Sequence, residues 1–210
     1  MLGEPFQTIN ISDKPGESDK PQIFTFNKTL HMIWTDKFEG NHEIYYSQID
    51  SELKKLSSTI NLSNNNGSSA FPRLHVENDI VYATWYDYSP GQSDVFFAKS
   101  IDGGKKFTIK NLSNDQKASY NPWIDGIKNN VYVVWNDGGK SEEIDVSGVK
   151  RIVDILFGDM EIYFAHSDDY GKTFEVKNIS NTEGDSVNPR LRIEENKVFV
   201  VWSQDTNSSS

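Results

Sequence analysis

Residues 72–87 read PRLHVENDIVYATWYD, from Pro72 to Asp87. Two β-branched and aromatic runs follow the proline, and the second closes on Trp85 and, two residues later, Asp87. The same pattern occurs four times. Pro21, Pro72, Pro122 and Pro189 each precede a tryptophan (Trp34, Trp85, Trp135, Trp202) by thirteen residues. Each proline follows the serine of an Asn-x-Ser triplet (Ser12, Ser63, Ser113, Ser180) by nine. Four coincidences at both spacings define an internal repeat, which must be settled before any local reading of the fold.

The repeat extends beyond the tryptophan. Asp36, Asp87 and Asp137 stand two residues after it, with Gln204 in the last copy. Ten residues after Trp34 and Trp85 come the aromatic runs IYYS (from Ile44) and VFFA (from Val95). The third, IYFA from Ile162, comes 27 residues after Trp135, so this copy carries a 17-residue insertion. Each unit of about 50 residues therefore holds four strands. Strand a follows the proline, b ends in the tryptophan, c is the aromatic run, and d ends in Asn-x-Ser. Four strands per repeat predict an all-β fold, a β-propeller of four-stranded antiparallel blades. A single blade cannot cover both its faces, so neighbours must stack on it, and its strands read as apolar runs rather than strict alternations.

Composition narrows the function classes. A formal charge of −10 argues against nucleic acid as a partner, since phosphate backbones need clustered Lys and Arg. The absence of cysteine removes disulfides, thiolate nucleophiles and Cys-type zinc sites, and the four histidines show no metal-ligand spacing, so neither metal nor cofactor is expected. No apolar run is long enough to span a bilayer. MLGEPFQTINIS lacks an apolar h-region, so no signal peptide is expected in this chain.

Between strands c and d, two copies carry a sharper motif: Ser100-Ile-Asp102-Gly-Gly104-Lys-Lys-Phe107 and Ser167-Asp-Asp169-Tyr-Gly171-Lys-Thr-Phe174. This S-x-D-x-G-x-[TK]-F pattern resembles the Asp box, or BNR repeat, of sialidase-type propellers. The first copy, Ile49-Asp50-Ser51-Glu52-Leu53, is degenerate. Glycine supplies a left-handed position, the carboxylate accepts backbone N–H bonds across the turn, and the aromatic pins the hairpin to its blade. The resemblance implies that these turns lie on the face away from the active site, so Asp102 and Asp169 are expected to be structural.

The d–a and b–c connections then form the opposite, top face. The residues after the prolines are Gln22, Arg73, Trp123 and Arg190, with Arg192 two residues beyond the last. The resemblance implies arginines that clamp a substrate carboxylate, since a guanidinium fork matches it. Arg73, Arg190 and Arg192 stand at such positions; the other arginine, Arg151, lies in the insertion. The alternative is that each arginine merely caps its blade. Asp36, Asp87 and Asp137 recur at strand ends as a general acid, a cation site or turn formers, and recurrence at a fixed position favours the last. A sialidase-type nucleophile would be a tyrosine paired with a glutamate. Tyr86, Tyr88 and Tyr120 are candidates, but no glutamate pairs with one, and the catalytic set stays incomplete.

The insertion, about 138–158, places Val149, Ile152, Val153 and Leu156 at helical spacing, so an amphipathic helix is favoured over a β-excursion. Seven Asn-x-Ser/Thr sequons occur, and four are the repeat's own strand endings. Boundaries follow from the repeat: 1–12 as outer strand of a closing blade, 13–63, 64–113 and 114–180 as blades 1 to 3, and 181–210 as inner strands of the closing blade. That makes about four blades and 15 strands, with an incomplete closing blade. The chain closes as a small ring, forms an open arc, or completes a ring by self-association. The favoured function is a non-catalytic propeller binding a glycan or protein through its top face. The alternatives are an exo-sialidase-like hydrolase acting on a carboxylated sugar and a scaffold or assembly module. The resemblance implies an extracellular or cell-surface location.

Overall fold

In the computed structural model, which describes residues 7–13, 15–37, 40–146, 149–155 and 160–205, the repeats form successive antiparallel sheets. Blade 1 comprises β1 (Glu17–Phe26), β2 (Thr29–Lys37), β3 (Glu43–Asp50) and β4 (Ile60–Asn61). Blade 2 comprises β5 (Ser69–Glu77), β6 (Ile80–Asp87), β7 (Asp94–Ser100) and β8 (Thr108–Asn111). Blade 3 begins with β9 (Ser119–Ile127) and β10 (Asn130–Asp137). The insertion follows as β11 (Lys140–Val146) and β12 (Val149–Ile155), and β13 (Glu161–Ser167) and β14 (Glu175–Asn178) complete the blade. The fourth sheet has two strands, β15 (Ser186–Glu194) and β16 (Lys197–Gln204).

Two expectations change. The helix expected through Val149, Ile152 and Val153 is instead a strand: β11 and β12 pair from Lys140↔Ile155 to Val146↔Val149. Its β-branched residues are stiff at χ1 and favour the extended chain, and the antiparallel b–c connection simply lengthens into a hairpin. Leu156 lies outside the described residues. Among the described residues the blades contribute fourteen strands and the insertion two. The strand expected at 1–12 falls partly outside the described residues, and Gln7–Asp13 is irregular chain.

Among the described residues the inner strands pack in sequence, β1 on β5, β5 on β9 and β9 on β15, with no comparable packing of β1 on β15. The described blades thus follow one another as an arc. Its core lies at the blade interfaces. Ile33, Ile44 and Tyr46 of blade 1 meet Val76, Val81, Ala83 and Trp85 of blade 2. Tyr82, Val95 and Phe97, on the other face of blade 2, meet Ile124, Val131, Val133 and Trp135. Alternate residues of one strand thus serve two interfaces, which is why the strands read as unbroken apolar runs. The third interface buries only Val134, Ile162 and Leu191 fully.

Each inner strand is bulged before its proline. Lys20, Phe71, Asn121 and Asn188 all take positive φ, between 50° and 57°, and the a–b register shifts at the same place in every blade. Proline has no N–H for the ladder and is tolerated at a bulge on an edge strand. The strand-d triplet is also explained. The serine hydroxyl accepts the N–H of the second strand-c residue (Ile44 to Ser63, 2.9 Å; Val95 to Ser113, 3.0 Å; Ile162 to Ser180, 2.9 Å). The asparagine Oδ1 accepts the N–H three residues on, from Asn64, Asn114 and Asn181.

Candidate functional site

Because strand a lines the axis, residues at one offset from the proline meet their counterparts on the next blade. One residue after the proline, the Arg73 guanidinium lies 4.7 Å from the Trp123 ring centre and that of Arg190 lies 4.8 Å from it. The two come from the blades before and after. Each arginine donates Nη1 to the carbonyl of its own proline, at 2.9 and 2.8 Å, and Gln22 does the same at 2.8 Å. That carbonyl lies where the a–b register shifts, and the next side chain bonds it. Each arginine thus caps its own blade, and the same guanidinium also stacks on the indole. Burial, with the charge of Arg190, draws the Arg73 guanidinium down to about 10.

Three residues after the proline, a second row joins the blades: Phe24, His75, Asp125 and Arg192. Phe24 meets His75 edge-on at 5.2 Å, and His75 Nδ1 lies 2.9 Å from Asp125 Oδ1. The exposed Arg192 reaches Asp125 Oδ2 at 3.6 Å. Burial opposes ionisation of Asp125, but His75 and the N–H groups of Ile193 and Gly126 outweigh it and hold the carboxyl below its usual range. A third row, at the bulge residues themselves, puts the Lys20 ammonium 5.4 Å from the Phe71 ring centre and sets Asn121 against Asn188. Sequence reasoning found the first row and Arg192 but missed the other two. Counting the same offset from each proline would have found them.

The recurring aspartates lie elsewhere. Asp36, Asp87 and Asp137 are at most 1% exposed. Each accepts a hydroxyl from the serine that opens strand a: Ser18 at 2.7 Å, Ser69 at 2.7 Å and Ser119 at 2.8 Å. The indoles of Trp34 and Trp85 donate to the first two. Gln204 reproduces this with its amide oxygen, accepting from Ser186 and Trp202. The position therefore needs a buried acceptor that fastens strand a to strand b, and an amide serves. Burial, helped by the charge of Asp115 and opposed by Ser119 and Lys117, pushes Asp137 up to about 6. A second set of carboxylates, missed in the sequence, opens strand c, buried at Glu43 and Asp94 and half-buried at Glu161: Glu43 accepts from Ser63, Asp94 from Asn111 and Glu161 from Ser180. Tyr120 is buried and donates to Met160 Sδ, while Tyr86 stacks on Phe71 and meets Tyr88 edge-on.

The c–d turns occupy the opposite end with the a–b turns, where Gly103 N–H bonds the Asp79 carbonyl. Asp102 Oδ1 accepts from Ser100 Oγ and from Lys105 and Lys106 N–H. Asp169 accepts the equivalent bonds from Ser167, Lys172 and Thr173. These donors hold both carboxyls well below the usual range. Gly104 and Gly171 have positive φ, and a Cβ on them would stand 2.2 Å from Tyr46 Oη and 2.6 Å from Phe97 Cζ of the preceding blade. Phe107 and Phe174 meet the same two rings edge-on at 5.1 and 5.0 Å. The turn is a latch between blades.

No protein-family model and no curated protein sequence matches the chain. Solved structures do. It is similar to a Hadza microbial sialidase (TM-score 0.58, 9% identity, 90% of this chain and 46% of that one). The fold is that of a sialidase-like β-propeller. It is also similar to a thermostable family-43 glycoside hydrolase (TM-score 0.52, 12% identity, 89% and 65%). A third likeness is to the GH93 α-L-arabinofuranosidase of Fusarium graminearum in complex with arabinobiose (TM-score 0.51, 14% identity, 90% and 59%). The chain spans between about half and two thirds of these proteins. The sialidase-like fold accounts for the shared architecture, while the chemistry at its mouth rests on this chain's own residues.

Proposed function

We propose that this sialidase-like propeller arc is a binding module that holds a carboxylated sugar at its mouth and does not hydrolyse it. The observation that supports it is the convergence of Arg73 and Arg190 on Trp123, with no carboxylate partner for either guanidinium among the described residues. Two like charges brought together repel, and an anion between or beside them relieves that repulsion. A carboxylate matches the remaining guanidinium donors, and the amides of Asn121 and Asn188 on the row above suit sugar hydroxyls. Against turnover, Asp36, Asp87 and Asp137 are committed to strand fastening, and Asp125 is held by His75 and Arg192.

Calorimetric titration with methyl α-sialoside and with methyl glucoside tests this. The acidic sugar binds, the neutral one does not, and Arg73→Ala or Arg190→Ala weakens binding by at least tenfold. A fluorogenic sialoside distinguishes the hydrolase reading: turnover by the native chain that both arginine variants abolish would overturn a binding-only role.

A further inference from the structure

The face opposite the mouth carries a cleft of about 1080 Å³ between the outer edge of blade 2 and the c–d turn of blade 3. Its wall holds Lys99, Lys106, Lys110 and Lys172, with Asp102 as the only acidic side chain lining it. This stands out on a chain of charge −10. Asp102 Oδ1 is already engaged by its own turn, and among the described residues none of the four ammonium groups has a carboxylate ion-pair partner. Lys99 and Lys110 are held in place by backbone instead, donating to the carbonyls of Tyr170 (2.8 Å) and Lys172 (2.5 Å). Burial and the charges of Lys172 and Lys110 lower the Lys99 ammonium, outweighing Asp169, so the lysines are close enough to repel one another.

The other half of the cleft is apolar. Ile101 is 71% exposed, Ile109 47% and Tyr170 44%, over a floor that includes Phe97 and Phe107. Ile109 belongs to β8, the outermost strand of blade 2, which pairs with β7 alone. Blade 3 offers a contrast at its own outer strand, β14, where Lys177 is neutralised by Glu175 at 2.8 Å.

We propose that this cleft docks an extended acidic peptide segment of another protein, laid along the free edge of β8. Its carboxylates would meet the four lysines, and its apolar side chains would cover Ile101, Ile109 and Tyr170. A purely polyanionic ligand would leave the isoleucines in water, and a concave cleft does not match a flat bilayer. The site is independent of the mouth.

The test is fluorescence anisotropy with a labelled ten-residue peptide in which Asp and Glu alternate with Leu and Phe. Saturable binding is expected, weakened at least tenfold by Lys110→Glu combined with Lys172→Glu, and similarly by Ile109→Asp. Near-UV circular dichroism confirms that the variants keep the native fold. The proposal is overturned if the charge reversals change affinity less than twofold, or if the same peptide with Ser for Leu and Phe binds equally well. It is equally overturned if heparin or anionic vesicles bind the cleft as tightly, or if light scattering shows a dimer that the reversals dissolve.

Discussion

Val131–Trp135 reads Val-Tyr-Val-Val-Trp and Val198–Trp202 reads Val-Phe-Val-Val-Trp, yet the two strands live in different surroundings. In β10, Val131, Val133, Val134 and Trp135 are at most 1% exposed. In β16, Phe199 is 50% and Val201 63% exposed. β10 has a strand on each side and a blade on each face. β16 has β15 alone as a described partner, with one face packed on blade 3. Burial of strand b is thus conferred by strand c and the next blade. The same residues that make a core in one place make an open apolar face in the other.

That contrast can be broken by paired substitutions. The largest expected effect is Trp135→Ala, which costs about 3–5 kcal/mol in denaturant unfolding because the indole leaves a closed cavity. Trp202→Ala should cost less than half as much, and equal costs would erase the distinction. The next pair concerns the acceptor two residues on. Asp137→Asn gives blade 3 the neutral acceptor that blade 4 has in Gln204. The Asp137 carboxyl, raised to about 6, binds a proton more readily folded than unfolded. Ionising it above pH 6 therefore penalises the native chain, by up to roughly 2–3 kcal/mol. The asparagine variant should be more stable at pH 8 by up to that amount, with the gain vanishing below about pH 4. A difference independent of pH would contradict the assignment.

Much of this was legible in the sequence because the repeat is spatial as well as linear. The proline-to-tryptophan spacing defined the blades, and the third-copy gap located the insertion. What it could not convey was orientation. Asp87 and Arg73 both mark recurring top-face positions, but one points into the a–b fastening and the other toward Trp123. The row through His75 and Asp125 was hidden because its members differ in chemistry from blade to blade, and only their shared offset unites them. The insertion misled through its apolar spacing, where β-branching was the better guide.

Two smaller effects sharpen the contrast. Gly171→Ala places a Cβ 2.6 Å from Phe97 at a φ of +77°, whereas at Gly103, φ +72°, a Cβ meets nothing within 4 Å. The second change should cost about 1–2 kcal/mol for the left-handed backbone alone, and the first clearly more, read as a shift in Tm. Val134 and Val201 occupy the same repeat position at 0% and 63% exposure. Val134→Thr should cost about 1–3 kcal/mol for a buried hydroxyl, and Val201→Thr should stay within about 0.5 kcal/mol.

The role of the mouth is tested most directly by the five indole N–H signals in a nitrogen–proton correlation spectrum during titration with methyl α-sialoside. Trp123, on whose ring both guanidinium groups converge, should shift saturably while Trp34, Trp85, Trp135 and Trp202 stay within line width, and methyl glucoside should move none. An unmoved Trp123 at saturating acidic sugar, or an equal shift with the neutral one, would contradict carboxylate recognition at Arg73 and Arg190.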